Sequence, residues 1–221
     1  MKRLIIAIDG PSGAGKGTVA RAVAQALGYR HIDTGAMYRA VGWKAHHDHI
    51  PLHDEAAVAQ LARSADLVVE GGVVAIDAHD VTSAIRTPEV DKLASTVARL
   101  PQVREVLVSR QRAMGEQRGV VMEGRDIGSV VFPDADVKIY LDASAEERAR
   151  RRAHDAAHAG SQTGQAAVAE AIQARDLSDK TRAASPLSLA RGAVHIDTTN
   201  MPIDVVVNRV LTLVREKLDQ P

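Results

Sequence analysis

Short apolar runs alternate with longer stretches of helical periodicity along almost the whole chain. Leu4 to Ile8 is a continuous apolar run entering a glycine-rich turn, the pattern of a strand covered on both faces of a parallel sheet. Helical residues follow from about Gly15 to Leu27, and Gly28 stands where a helix end favours glycine. Tyr29 to Ile32, Val120 to Met122, Val137 to Leu141 and Val194 to Ile196 read as further strands. Helices are predicted from about Ala36 through the His-rich stretch before Pro51, and from Glu55 to Ser64 behind Asp54 as a cap. Others are expected over Pro88 to Ala98, Pro101 to Gln117 and Ser144 to about His158. The last two run from beyond Gly164 to about Lys180 and from Ile203 to Leu218. Between Asp66 and Arg86 the pattern changes: Leu67–Glu70, Gly71-Gly72 and Val73–Asp77 predict a β-hairpin inserted between helices. Strands alternating with helices give an α/β fold around a central, mostly parallel sheet.

With 221 residues the chain is read as one domain. Hydrophobic residues make up 45% and aromatic ones only 2%, so the core is built from Ala, Val, Leu and Ile. Lys plus Arg and Asp plus Glu are both 28, which leaves no global basic field for nucleic acid. Absence of cysteine removes disulfides, a thiol nucleophile and Cys-ligated metal, and is compatible with the cytosol. The N-terminal apolar run is too short for a signal peptide, and no stretch approaches the ~20 apolar residues of a membrane span. A cytoplasmic chain with no membrane partner is therefore expected.

The strongest chemical signal is Gly10-Pro11-Ser12-Gly13-Ala14-Gly15-Lys16-Gly17-Thr18, between a predicted strand and a predicted helix. Glycines let backbone N–H groups converge on phosphate oxygens, and the helix N-terminus favours negative charge. Lys16 adds a cation near the β- and γ-phosphates, and the Thr18 hydroxyl can meet magnesium. Gly17 directly after the lysine looks like the ending used by small-metabolite kinases rather than by GTPases.

The acceptor has to be read elsewhere, from strand ends, where ligands of open α/β sheets sit. Arg39, with Thr34 beside it, follows the second strand. Gly124-Arg125-Asp126 follows Val120–Met122, and arginine can bind phosphate with two parallel hydrogen bonds. Arg175, Asp179 and Arg182 share one helix face. Each of these segments also fits a solvated turn or a local ion pair. Arg148, Arg150, Arg151 and Arg152 form either a solvated face or a lid carrying positive charge to the reaction. His46, His47, His49 and His53 match no defensible metal spacing.

Taken together the segments resemble the bacterial cytidylate kinases. The matching pieces are Ile8 to Thr18, Asp33-Thr34-Gly35-Ala36-Met37-Tyr38-Arg39, Ile85-Arg86-Thr87, Ala94-Ser95 and Val103-Arg104. They continue with Gly124-Arg125-Asp126-Ile127-Gly128, Val131-Phe132-Pro133, Leu141 to Ser144, Glu147-Arg148 and Arg175-Asp176, in family order across nearly the whole chain. The resemblance implies a P-loop nucleoside monophosphate kinase fold. Its parts would be the loop at 10–18, an acceptor-binding insertion over about 36–100 and a short lid over about 144–164. It implies ATP with Mg2+, CMP and dCMP as acceptors, and a monomer. Arg39 and Arg125 would hold the acceptor phosphate, while Ser95, Arg104 and Asp126 face cytosine. Arg175, Asp179 and Arg182 would lie by the ribose and base edge. Lys16, Arg125 and lid arginines, Arg148 and Arg152 among them, would act on the transferring group. Two other readings stay open: a kinase of another metabolite such as shikimate, and a nucleotide-dependent switch. Against the switch, no Asn-Lys-x-Asp motif for reading guanine is present.

Overall fold

The structure is a computed structural model, and it describes residues 3–154 and 165–220. Five parallel strands form the central sheet in the order β2-β6-β1-β7-β8. They are β1 (Ile5–Asp9), β2 (Arg30–Asp33), β6 (Val120–Gly124), β7 (Val137–Asp142) and β8 (Val194–Asp197). The middle strands β1 and β6 are buried almost throughout, as their unbroken apolar runs require. Both extend past the predicted apolar ends because the ladder continues, Ile8 pairing Glu123 and Asp9 pairing Gly124. Polar residues that a periodicity argument assigns to a loop are thus held rigidly at the edge where ligands bind.

One face of the sheet packs against α1 (Lys16–Leu27) and α8 (Ile203–Leu218) through Val19, Val23, Val206, Val210 and Val214. The other face meets α5 (Pro101–Gly115) and a π-helical turn at Ile127–Val131, around Met122, Ile127 and Val131. A separate apolar cluster joins α2 (Thr34–His47), α3 (Glu55–Ser64), the inserted strands and α4 (Pro88–Val97). The inserted strands are β3 (Leu67–Glu70), β4 (Val73–Ile76) and β5 (His79–Asp80), and the Gly71-Gly72 turn has positive φ at both residues. Thus the predicted hairpin gains a third, two-residue strand, which its polar residues did not announce.

Helix starts follow local chemistry. The Asp33, Asp54 and Thr87 side chains accept from Ala36 N, Ala57 N and Val90 N and so cap α2, α3 and α4. Pro88 opens α4, where its missing donor is harmless. The basic helix α6 (Ala145–His154) is followed, beyond residues outside the description, by α7 (Gln165–Thr181). The part of the expected lid at 155–164 lies outside the described residues. No helix among the described residues is long and apolar enough to cross a membrane.

Candidate active site

Where β1 ends, the chain turns at Gly10 with φ 148°, and a Cβ there would stand 2.0 Å from the Leu141 carbonyl oxygen on β7. Only glycine fits this crossing. The loop then enters α1, whose start has no side-chain cap, so its first N–H groups are left to a ligand. Lys16 Nζ donates to the Pro11 carbonyl at 2.7 Å across the loop. Burial, and then the charge of Arg125, pushes its ammonium well below the usual lysine range. A polyanion arriving here would favour the charged form.

A single cleft of about 550 Å³ runs from this loop to α7. Ser12, Gly13, Gly15, Lys16, Gly17 and Thr18 line it; Gly10, Pro11 and Ala14 are buried beneath. The acceptor candidates Thr34, Arg39, Ser95, Arg104, Arg125, Asp126, Arg175, Asp179 and Arg182 all line the same cleft. Five different elements or their ends supply them, so tertiary structure converts scattered residues into one wall.

Most of the charges there are paired. Arg125 Nε donates to Asp179 Oδ2 at 2.8 Å. Burial would raise the Asp179 carboxyl, but Arg125 and Arg175 outweigh it and hold it below the usual range. Arg104 donates to Asp126 and lies 5.4 Å from the Tyr38 ring centroid, while Arg182 Nη2 is 3.4 Å from the other Asp126 oxygen. Both guanidiniums are 3% exposed, which makes Asp126 the shared anion of two buried cations. Burial depresses the Arg182 guanidinium, and the nearby charge of Arg104 adds to that. Thr34 spends its hydroxyl proton on the Glu123 carbonyl at 2.7 Å, tying α2 to β6. Arg39 donates from Nε to Asp91 at 2.9 Å and lies 3.9 Å from Asp33.

Arg148 and Arg152 separate. Arg152 lines the cleft beside Arg151, but Arg148 does not. Its side chain is buried behind the phosphate loop, donating to the Ala143 carbonyl at 3.0 Å and the Ser12 carbonyl at 3.2 Å. It also pairs with Asp176 at 2.6 Å. A Cβ on Gly13 would meet Arg148 at 2.9 Å, so α6 packs directly on the loop. Arg148, expected at the transferring group, does not line the cleft here: its donors go to the Ser12 and Ala143 carbonyls and to the Asp176 carboxylate.

Several cleft residues escaped the sequence analysis. Asp33 and Arg86 stood inside motifs without a role assigned to them, and here they face each other at 3.6 Å. Glu123 stands one residue before the end of β6, lines the cleft, and brings a carboxylate oxygen within 3.1 Å of where a Gly17 Cβ would be. Its place before Gly124-Arg125-Asp126 was the available signal. Asp9 is buried and accepts from Ile127 N at 2.8 Å and Gly128 N at 2.7 Å, anchoring the backbone just after Arg125-Asp126. Burial raises its carboxyl to about 6 against those hydrogen bonds. Among the His-rich residues, His47 stacks on Trp43 with centroids 4.9 Å apart and meets Asp48 at 2.8 Å. No group of three or more metal-ligating side chains occurs among the described residues.

Magnesium carried by a nucleoside triphosphate is held mostly by phosphate oxygens and water, so it asks one or two hard oxygens of the protein. The exposed Thr18 hydroxyl and the Glu123 carboxylate, both on the cleft wall, fit that demand.

Comparison with solved structures finds the same fold at low sequence identity. A shikimate kinase from Acinetobacter baumannii in complex with shikimate aligns with TM-score 0.51 and 15% identity, covering 99% of this chain and 97% of that one. A gluconokinase from Sinorhizobium meliloti 1021 aligns at 0.50 and 18%, covering 99% and 97%. Sequence comparison is more specific. The cytidylate kinase from Desulfitobacterium hafniense (strain Y51) is 48% identical over 221 residues, covering 99% of this chain and 95% of that protein. The one from Desulforamulus reducens is 51% identical over 214 residues, covering 96% of each. The family model described as cytidylate kinase matches residues 6–216, and with these relatives it shows that the chain belongs to the cytidylate kinase family of nucleoside monophosphate kinases.

Proposed function

We propose that this cleft carries out its family's reaction on CMP and dCMP, taking the γ-phosphoryl group from Mg2+-bound ATP at the loop end. The observation that carries the reading is the composition of one cavity. A phosphate loop forms one end, and an arginine-rich wall with a buried Arg104–Asp126–Arg182 group forms the other. Phosphoryl transfer needs in-line placement and compensation of charge more than covalent chemistry. The loop N–H groups and Lys16 bind the donor phosphates. Thr18 and Glu123 would hold magnesium, which neutralises charge on the phosphoryl oxygens. Arg39 and Arg125 bind the acceptor phosphate, itself the nucleophile, so no strong general base is required. Ser95, Arg104 and Asp126 read cytosine, and Arg175, Asp179 and Arg182 line the ribose and base edge.

In this reading Arg152, on the lid segment of about 144–164, brings charge to the transferring group as the lid closes and excludes water. Arg148 supports the loop from behind. The segment over about 36–100 is the acceptor-binding insertion. The enzyme works as a cytoplasmic monomer on free nucleotides, with no nucleic-acid or membrane partner; that part rests on family resemblance and the balanced charge. A coupled spectrophotometric assay with ATP and CMP, dCMP, UMP, AMP or shikimate tests it. CMP and dCMP should show the highest kcat/KM, and a higher value for any other acceptor overturns the assignment.

A further inference from the structure

Asp91 stands in the first turn of α4, a position ordinarily explained by the helix dipole. Here its side chain does something else. One oxygen accepts from Arg39 Nε at 2.9 Å and lies 3.2 Å from Arg175 Nη1, and the other accepts from Arg152 Nη2. These three arginines come from α2, α7 and α6. All three line the cleft, whereas Asp91 does not: it sits behind them, 15% exposed.

We infer that Asp91 is a positioning residue that gathers Arg39, Arg152 and Arg175 into one anion-binding wall and ties the basic helix α6 to the acceptor side. The inference rests on the proposed acceptor site. Three guanidiniums facing one cleft repel each other, and a carboxylate behind them offsets that repulsion without entering the cleft. A carboxylate shared by three guanidiniums offsets only part of their charge, so they still attract phosphate. Arg39 meets Asp91 through Nε, and its Nη1 stands 3.9 Å from Asp33, beyond hydrogen-bond reach, so its terminal nitrogens can still turn to a ligand. The electrostatics agree with this arrangement. Burial would raise the Asp91 carboxyl, yet Arg39, Arg175 and Arg152 hold it far below the usual carboxylate range. The Arg175 guanidinium is pushed down to about 10 by burial and by Arg125, with Asp91 opposing that shift.

The test uses the full chain and two substitutions. Asp91→Asn keeps size and removes charge; Asp91→Glu keeps charge one methylene further out. Binding of inorganic phosphate is measured by calorimetry with ADP saturating the loop, and KM for CMP and ATP by the coupled assay. Asp91→Asn should weaken phosphate and raise the CMP KM, each at least ~10-fold, with the ATP KM changed less than ~3-fold. Asp91→Glu should recover part of the loss; should Asp91→Asn not fold, Asp91→Glu alone should still shift the CMP KM by ~3-fold. A lower melting temperature with unchanged phosphate and CMP affinity would show that Asp91 only supports the fold and would overturn the inference. Tighter binding in Asp91→Asn would overturn it too, because Asp91 would then be competing with the acceptor. Weakened phosphate binding in a protein whose wild type does not phosphorylate CMP would uphold the wall and remove the substrate assignment instead.

Discussion

Replacing Asp126 with asparagine perturbs two things at once, and the structure separates them. Asp126 is 8% exposed and is the common partner of Arg104 and Arg182, each 3% exposed. Asparagine keeps the shape but loses the charge and one acceptor oxygen, so both buried guanidiniums lose this anion; Arg182 still has Asp179 at 3.9 Å, and Arg104 is left the worse placed. A hydrogen bond to a charged group is worth ~1.5–3 kcal/mol, and a bereft buried cation puts this case near the upper figure. At ~2–4 °C per kcal/mol for a chain of this size, the melting temperature should fall by roughly 6–12 °C. The second effect is on the base. Cytosine presents an amino donor at position 4 and an acceptor at N3, and uracil presents the reverse. A carboxylate accepts from the amino group while Arg104 donates to the ring, so uracil mismatches both. One such paired contact discriminates by ~1–3 kcal/mol. The asparagine amide can turn to donate to the uracil carbonyl. The variant should therefore lose CMP efficiency and narrow the CMP-to-UMP ratio by at least roughly tenfold. The assay is kcat/KM for both acceptors at saturating ATP, well below the variant's melting temperature. If both efficiencies fall together and the ratio holds, Asp126 serves only to neutralise Arg104 and Arg182, and the reading of cytosine through it is wrong.

Lys16→Ala should lower turnover at least ~100-fold with a near-normal melting curve, because the lysine acts on charge that develops in the transition state; near-normal turnover removes the loop assignment. Arg39→Ala should raise the CMP KM by an amount equivalent to ~1.5–3 kcal/mol while leaving ATP almost unaffected, and an equal effect on both substrates refutes its place on the acceptor side. Asp9 gives a pH signature. Its folded value is raised from 3.8 to about 6, so the folded state holds the proton more tightly. The resulting stability is fully present below about pH 4 and lost as pH rises through about 6, at most about 3 kcal/mol. Chemical denaturation of wild type and Asp9→Asn between pH 4 and 7.5 should show the wild type losing that advantage; a pH-independent difference contradicts it.

What the chain declared locally and what needed the folded molecule divide along sequence distance. The phosphate loop was legible because its chemistry lies in nine consecutive residues flanked by a buried strand and a helix, a context visible within thirty residues or so. Helices α3 and α8 run over the predicted residues because caps and periodicity are local interactions. Strand ends and a shared helix face singled out the acceptor arginines, but each also fitted a solvated turn or face or a local ion pair until the family motifs joined them. Tertiary structure decided the rest. Four neighbouring arginines on one helix carry no mark that sends Arg148 behind the loop and Arg152 to the cleft. Packing of α6 against Gly13 makes that choice. Asp91 had the appearance of a helix-dipole acid until α2, α6 and α7 converged on it. Apolar periodicity stops before Glu123 and Asp9, while the parallel ladder does not. A contiguous motif contains its own geometry; a site assembled from helix faces and strand ends has none until long-range packing brings the pieces together.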